Sequence, residues 1–231
     1  MAEHLLPGRP PVPLLLRRSA QARRITLRIS RLDGRVTLTL PRGVSEATAI
    51  AFAREKEAWI RGHLSQWPEL EVVGQGSLLP VEGILRRVVP VAGRRILLGE
   101  SEIGVPAGAE GPRLAAWLKT LARDRLVAAS DRHAEALGRG YGRITLRDTR
   151  SRWGSCTSDG GLMYSWRLVM APPEVLDYVA AHEVAHLAEM NHSPAFWAIV
   201  KRLYGGPYAA SRAWLKSEGN ALHRFSFDGE A

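Results

Sequence analysis

The chain reads as an α+β fold in two parts. A β-rich N-terminal region with one helix spans residues 1–108, and a second domain spans 109–231. In the second part a small antiparallel sheet precedes a site-bearing helix and C-terminal helices. Three observations predict this. Short segments with alternating apolar and polar residues indicate strands at both 24–40 and 143–169. Apolar residues at helical spacing fill 114–137 and 173–190. A stretch rich in Gly, Ala and Pro, 104–112, reads as a linker or crossover between the two parts.

The elements follow in order. Residues 1–16 are proline-rich and expected to be extended. Arg24–Ser30 and Arg35–Leu40 alternate around Asp33-Gly34, a hairpin signal. Ser45 caps a helix, with Thr48 at its third position, that is expected to run to about Trp67, where Pro68 stops it. Trp59 and Trp67 read as core or edge residues. Residues 72–105 hold several short apolar runs, expected as strands of a small sheet or barrel. Leu114–Leu137 is a long amphipathic helix ended by Gly138. Arg143–Arg147 is a strand, Ser151–Cys156 a turn-like segment, and Gly161–Val169 a further strand. Pro173 then opens a helix as its first residue, with Glu174 and Asp177 suiting the positive end of its dipole.

Bulk properties set limits. The 231 residues, 45% hydrophobic and 24% charged, are enough to bury a sizeable core. No apolar run approaches the length of a membrane span, and no signal peptide is expected. The single cysteine, Cys156, rules out an internal disulfide framework and fits a reducing cytoplasm. A net charge of +9 favours anionic partners, although acidic residues interleave with the arginines and a solvated basic surface explains the balance as well.

The chemistry concentrates at residues 182–192. His182-Glu183-Val184-Ala185-His186 lies on the predicted helix, so the two imidazoles share a face and can meet one ion. Glu183 is one residue round, within reach of a water on that ion. Two imidazoles and a carboxylate at this spacing form a zinc-hydrolase signature. A catalytic Zn2+ needs a third ligand and an open position. His192 is the candidate, with Glu189 a competing ligand or a partner to one imidazole. In an unbroken helix His192 would stand about 15 Å along the axis from His182. The helix must therefore break, and Asn191, tolerant of the left-handed conformation, is expected to end it near 190–191. Ser193-Pro194 then reads as the cap and first residue of the next helix.

With these residues in view, the chain resembles the YgjP-like zinc metallopeptidases, within the broader zincin-like group. The resemblance rests on Arg152-Trp153-Gly154-Ser155-Cys156, Trp166-Arg167-Leu168, the HEVAH motif, Asn191-His192-Ser193 and Phe196-Trp197. It covers most of the chain and is weakest from about 70 to 110. It implies a zincin-like catalytic domain, zinc on His182, His186 and His192, and Glu183 as general base. It also implies an extended peptide paired to the strand before the zinc helix, here Gly161–Val169. Glu189 stands where the longer metzincin signature has glycine, which argues against that group.

The leading expectation is a cytoplasmic zinc metallopeptidase using a zinc-bound water activated by Glu183. Three alternatives share the motif: a nucleoside triphosphate pyrophosphatase acting on small phosphorylated substrates, a nucleic-acid-associated protease of the SprT-like kind, and a non-catalytic zinc-binding module. Arg143, Arg147, Arg150, Arg152 and Arg167 cluster near the predicted strands and suit phosphate, carboxylate or plain salt bridging. Cys156 is expected as a small buried residue. Tyr204 and Tyr208 are candidates for oxyanion stabilisation or for core packing.

Overall fold

The computed structural model describes residues 2–30, 34–65 and 70–228. The chain divides into two compact units, 1–69 and 70–231. In the first, β1 (Ala2–Leu6), β2 (Val12–Arg18), β3 (Thr26–Ile29) and β4 (Val36–Leu40) form one sheet in the order β1-β2-β4-β3. The predicted 24–40 hairpin is present, with Thr26 opposite Thr39 and Ile29 opposite Val36. Asp33 of its turn lies outside the described residues. The N-terminal segment is not merely extended. β2 pairs antiparallel with β1 and parallel with β4, and its burial alternates through Val12, Leu14 and Leu16. Pro13 fits because the ladder to β4 begins only at Leu14, so no bond on that side needs its missing N–H.

The single helix expected after Ser45 is two, α1 (Glu46–Glu55) and α2 (Glu57–Leu64), separated at Lys56, whose φ of −95° and ψ of 10° leave the helical range. Ser45 caps as expected, its Oγ accepting from the Thr48 N–H at 3.1 Å. Ala49, Ala53 and Ile60 still share one face and seal the sheet's apolar side with Leu14, Leu38 and Leu40. Trp59 is 46% exposed and lies against His63, so it is not a core residue. Trp67 and Pro68 lie outside the described residues.

The second unit begins with β5 (Glu71–Val72), β6 (Leu78–Val81), β7 (Ile84–Val91), β8 (Leu97–Leu98) and β9 (Glu102–Pro106). The last four form a sheet ordered β6-β7-β9-β8, as expected of the short apolar runs. The expected linker at 104–112 is absent. Its first residues belong to β9, where Ile103 and Val105 are fully buried, and α3 (Glu110–Leu137) starts four residues after β9 ends. Val88, Ile103 and Val105 share one core with Leu114, Leu118 and Leu126 of α3. The division therefore falls after residue 69 rather than at 108/109, because this sheet buries its apolar face in the second unit. Gly138 ends α3 at φ +73°, a conformation that favours glycine.

Three short strands follow: β10 (Ile144–Arg147), β11 (Gly154–Cys156) and β12 (Leu162–Ser165), in the order β10-β12-β11. The sheet is mixed rather than antiparallel, since β10 runs parallel to β12. The strand expected over 161–169 stops at Ser165, and Trp166–Met170 is a 3-10 turn buried throughout. The helices α4 (Pro173–Ala185) and α5 (Pro194–Tyr204) then pack onto α3, α4 also against β11, while α6 (Ala209–Ser217) packs onto α4, and β13 (Phe225–Ser226) returns to pair with β5. No described helix is long and apolar enough to cross a membrane.

Candidate metal centre and active site

α4 is apolar nearly all round, with Val175, Leu176, Val179, Ala180 and Val184 buried. That sequence suits a helix enclosed by α3, α5, α6 and the sheet, so side chains in its last turn are held rigidly. It ends at Ala185, with His186 as its cap, about five residues before the expected break. Asn191 is not left-handed. The turn is instead closed by main-chain bonds from Leu187 and Ala188 back to Val184 and Ala185, and by the His186 Nδ1–H donating to the Glu189 carbonyl at 3.0 Å. Ser193 caps α5, its Oγ accepting from the Phe196 N–H at 3.2 Å, with Pro194 in the first turn.

This fold-back brings the three histidines together. One nitrogen each of His182, His186 and His192 lies within 4.8 Å of the others. The Nε2 atoms of His182 and His192 face each other at 3.1 Å. Ligands about 2.05 Å from a tetrahedral ion stand roughly 3.3 Å apart, so the donor set fits one dication. The His186–Glu189 bond fixes a tautomer that leaves Nε2 free to ligate, as outer hydrogen bonds do in metal sites. Glu189 thus contributes its carbonyl; its carboxylate is not in the group. His182 Nδ1 is buried without a hydrogen-bond partner.

Electrostatics favour neutral imidazoles. Burial, then the neighbouring His186 and His192, then Arg212, push His182 down to about 3. Burial lowers His186 as well, against the bond to Glu189. Neutral imidazole is the ligating form. Phe196, fully buried, floors the trio, with ring centroids 4.4 Å from His186, 4.8 Å from His192 and 4.9 Å from His182. Tyr178 meets His182 edge-on and stacks on Tyr208, which stacks on Trp197.

Glu183 is 6% exposed. Its carboxyl is pushed up to about 8 by burial, with the Arg152 guanidinium opposing. Gly154 of β11 makes the room. A Cβ there would stand 2.6 Å from Glu183 Cγ and Oε1. The segment expected as a turn is therefore an edge strand, Gly154–Cys156, whose glycine receives the acidic side chain. No local signal marks that role, because it exists only once α4 is packed. Phe196 is likewise a residue whose place under the imidazoles depends on the fold-back.

The other candidates separate. Arg167 is structural: it is buried, bidentate to Asp148 and donates to the carbonyls of Leu222 and Phe225. Arg143, Arg147 and Arg152 are exposed. Cys156 is half-buried rather than buried, and burial pushes its thiol up to about 11, unsuited to a nucleophile. The Tyr204 hydroxyl bonds to Ser211, so that ring packs, and Tyr208 packs between Tyr178 and Trp197. β12, expected to receive a peptide on its edge, is paired on both sides; β11 is the edge strand facing α4.

A family model described as "YgjP-like, metallopeptidase domain" matches residues 23–218. The chain belongs to the YgjP-like metallopeptidase family. It is accordingly a metallopeptidase, whose substrate is peptide and whose chemistry requires a metal ion. Membership removes the non-catalytic reading, and nothing in it favours phosphorylated substrates or nucleic acid. No curated protein matches the chain. Among solved structures, the metallopeptidase zymogen of Pyrococcus abyssi abylysin is similar over 40% of this chain and 95% of that one, at 20% identity and a TM-score of 0.36.

Proposed function

We propose that the chain is a zinc-dependent peptidase in which His182, His186 and His192 hold the ion and Glu183 is the general base. When bound, the dication supplies Lewis acidity toward the scissile carbonyl and lowers the pKa of a water. The chain's residues do the rest. One ring nitrogen of each of three imidazoles lies within 4.8 Å of the others, and the His186–Glu189 bond holds one ring in orientation. Glu183 accepts the water's proton on a carboxylate oxygen and returns it to the leaving amine. Low-dielectric surroundings raise its proton affinity toward the working range of a base. The free edge of β11 offers main-chain groups to an extended peptide beside Glu183. The unpaired Cys156 fits a reducing, cytoplasmic setting.

The observation that carries the reading is the convergence of three imidazoles within 4.8 Å, next to a buried carboxylate one residue along the same helix. The test is Glu183→Gln. It should retain about one zinc per chain by atomic spectroscopy while casein cleavage falls at least ~100-fold. Undiminished cleavage removes Glu183 as the base, and protein purified with no transition metal removes the site.

A further inference from the structure

The metal centre has an aromatic wall on one side. Tyr178 stacks on Tyr208 and Tyr208 on Trp197, and the Trp197 ring lies 5.6 Å from that of His182 and 5.8 Å from that of His192. Arg212 stands on this wall. Its main-chain N–H donates to the Tyr208 carbonyl one turn of α6 away, so the two side chains share a face. The Arg212 guanidinium carbon sits 5.1 Å from the Trp197 ring centroid. One indole therefore packs against two imidazoles of the trio and against the guanidinium. The charge is felt at the imidazoles: after burial, His186 and His192, Arg212 is the one further group that lowers His182. His192 and Arg212 are both exposed, so one bound chain can reach each of them. Arg212 and Tyr208 also line a cleft of about 560 Å³ together with Lys201 and Lys216, and no acidic side chain lines it. Lys201 is one turn beyond Trp197 on α5.

We propose that Arg212 is a specificity-determining residue that binds a carboxylate of the peptide substrate, one or two residues from the scissile bond. The proposal rests on the peptidase reading. An extended chain advances about 3.4 Å per residue. A peptide whose scissile carbonyl meets the imidazoles therefore crosses the width of one indole ring within one or two residues. A guanidinium over an aromatic face keeps its N–H fork for a planar acceptor, which a carboxylate supplies in bidentate fashion. Lys201 and Lys216 add charge of the same sign along the cleft, so a neutral or cationic group gains less there. The carboxylate is either the substrate's own C-terminus or an Asp or Glu side chain, and the two sources are separable by experiment.

The experiment uses the full, metal-loaded chain and two peptide sets built around one cleavable bond. In the first set the peptide ends one, two or three residues past the bond, as free acid or as amide. In the second, with both ends blocked, a single residue on either side of the bond is Glu or Gln. In at least one set the carboxylate form should exceed its neutral partner in kcat/KM by about tenfold, the size of one charge-assisted hydrogen bond. A preference in the first set assigns the subsite to C-termini, and one in the second assigns it to acidic side chains. Arg212→Gln should bring the ratio close to one and Arg212→Lys should keep part of it, each with the parent's melting temperature and metal content. An equal loss on every peptide in Arg212→Gln, with the ratio intact, leaves Arg212 a packing role on Trp197 and overturns the subsite alone. A parent chain that cleaves charged and neutral peptides equally does the same. Failure of the parent to cleave any peptide overturns the peptidase reading with it.

Discussion

The N-terminal and C-terminal units solve the same packing problem differently. In the first, the sheet's buried face is entirely aliphatic, and the helices above it contribute alanine and isoleucine. In the second, the buried set also includes Arg86, Ser130, His133, Ser165, Arg167, Glu183, His186, Ser211 and His223; among the described residues, every buried polar or charged side chain belongs to this unit. Burying such groups is unfavourable unless each is partnered. Most are: Arg167 by Asp148 and two carbonyls, His133 by Asp177, Ser130 by Tyr164. The Ser165 Oγ, the Trp166 Nε1 and the Nδ1 of His182 are buried without a hydrogen-bond partner, and His182 adjoins the buried Glu183 on α4. The contrast shows where stability has been exchanged for chemistry.

Gly154→Ala tests that exchange most severely. The added methyl would overlap Glu183 at 2.6 Å, and both the strand and α4 are packed, so the carboxylate must move. A displacement of about 1 Å in a catalytic group costs on the order of 100-fold in turnover. We expect kcat/KM to fall by about that much while metal content stays at the parent value, because the histidines are not touched. Unaltered turnover would mean that Glu183 does not act from the position it occupies. A matched change in the first unit, Ala49→Gly at a core position, should leave turnover per folded molecule unchanged.

That glycine also marks the limit of what the sequence discloses. The histidine cluster is legible because its geometry is local: four residues of helix set His182 against His186, and Ser193-Pro194 announces the helix that returns His192. The 24–40 hairpin is legible for the same reason. β2 is not, since its parallel partner β4 is about twenty residues away. Nor is β11, whose small residues look like a turn until β12 pairs with them. The site helix stops at His186 rather than Asn191 because a side chain, not a left-handed residue, closes the turn. At Trp166–Met170 alternation predicted more strand, but burial on all sides permits a 3-10 turn there.

A second test concerns the partnered buried groups. Asp177 on α4 accepts from His133, whose side chain is 4% exposed, and pairs with Arg132. Burial by itself would raise its carboxyl, but His133 and then Arg132 outweigh it and hold it below the ordinary 3.8. A carboxyl with a lowered folded-state pKa adds stability that is complete above its unfolded value. That contribution is lost as pH falls through the folded value. Asp177→Asn should therefore be less stable than the parent at neutral pH by about 2 kcal/mol, the range for a charge-assisted bond. The gap in melting temperature should close below about pH 4. A gap constant across that range would show that the ion pair adds nothing.

The smallest effect is the sharpest comparison, because the same device occurs in both units. Ser45 caps α1 and Ser193 caps α5, each accepting from the N–H three residues on, at 3.1 and 3.2 Å. Replacing either serine by alanine removes that acceptor and costs about 1 kcal/mol. In the first unit the loss should appear only as stability. In the second, Ser193 follows His192 directly and fixes where the chain enters α5, so the same loss also frees the third imidazole. Ser193→Ala should weaken zinc retention against a competing chelator by several-fold, while Ser45→Ala leaves it unchanged. Equal retention in the two variants would mean that His192 is held by its packing against Phe196 and Trp197 rather than by the cap.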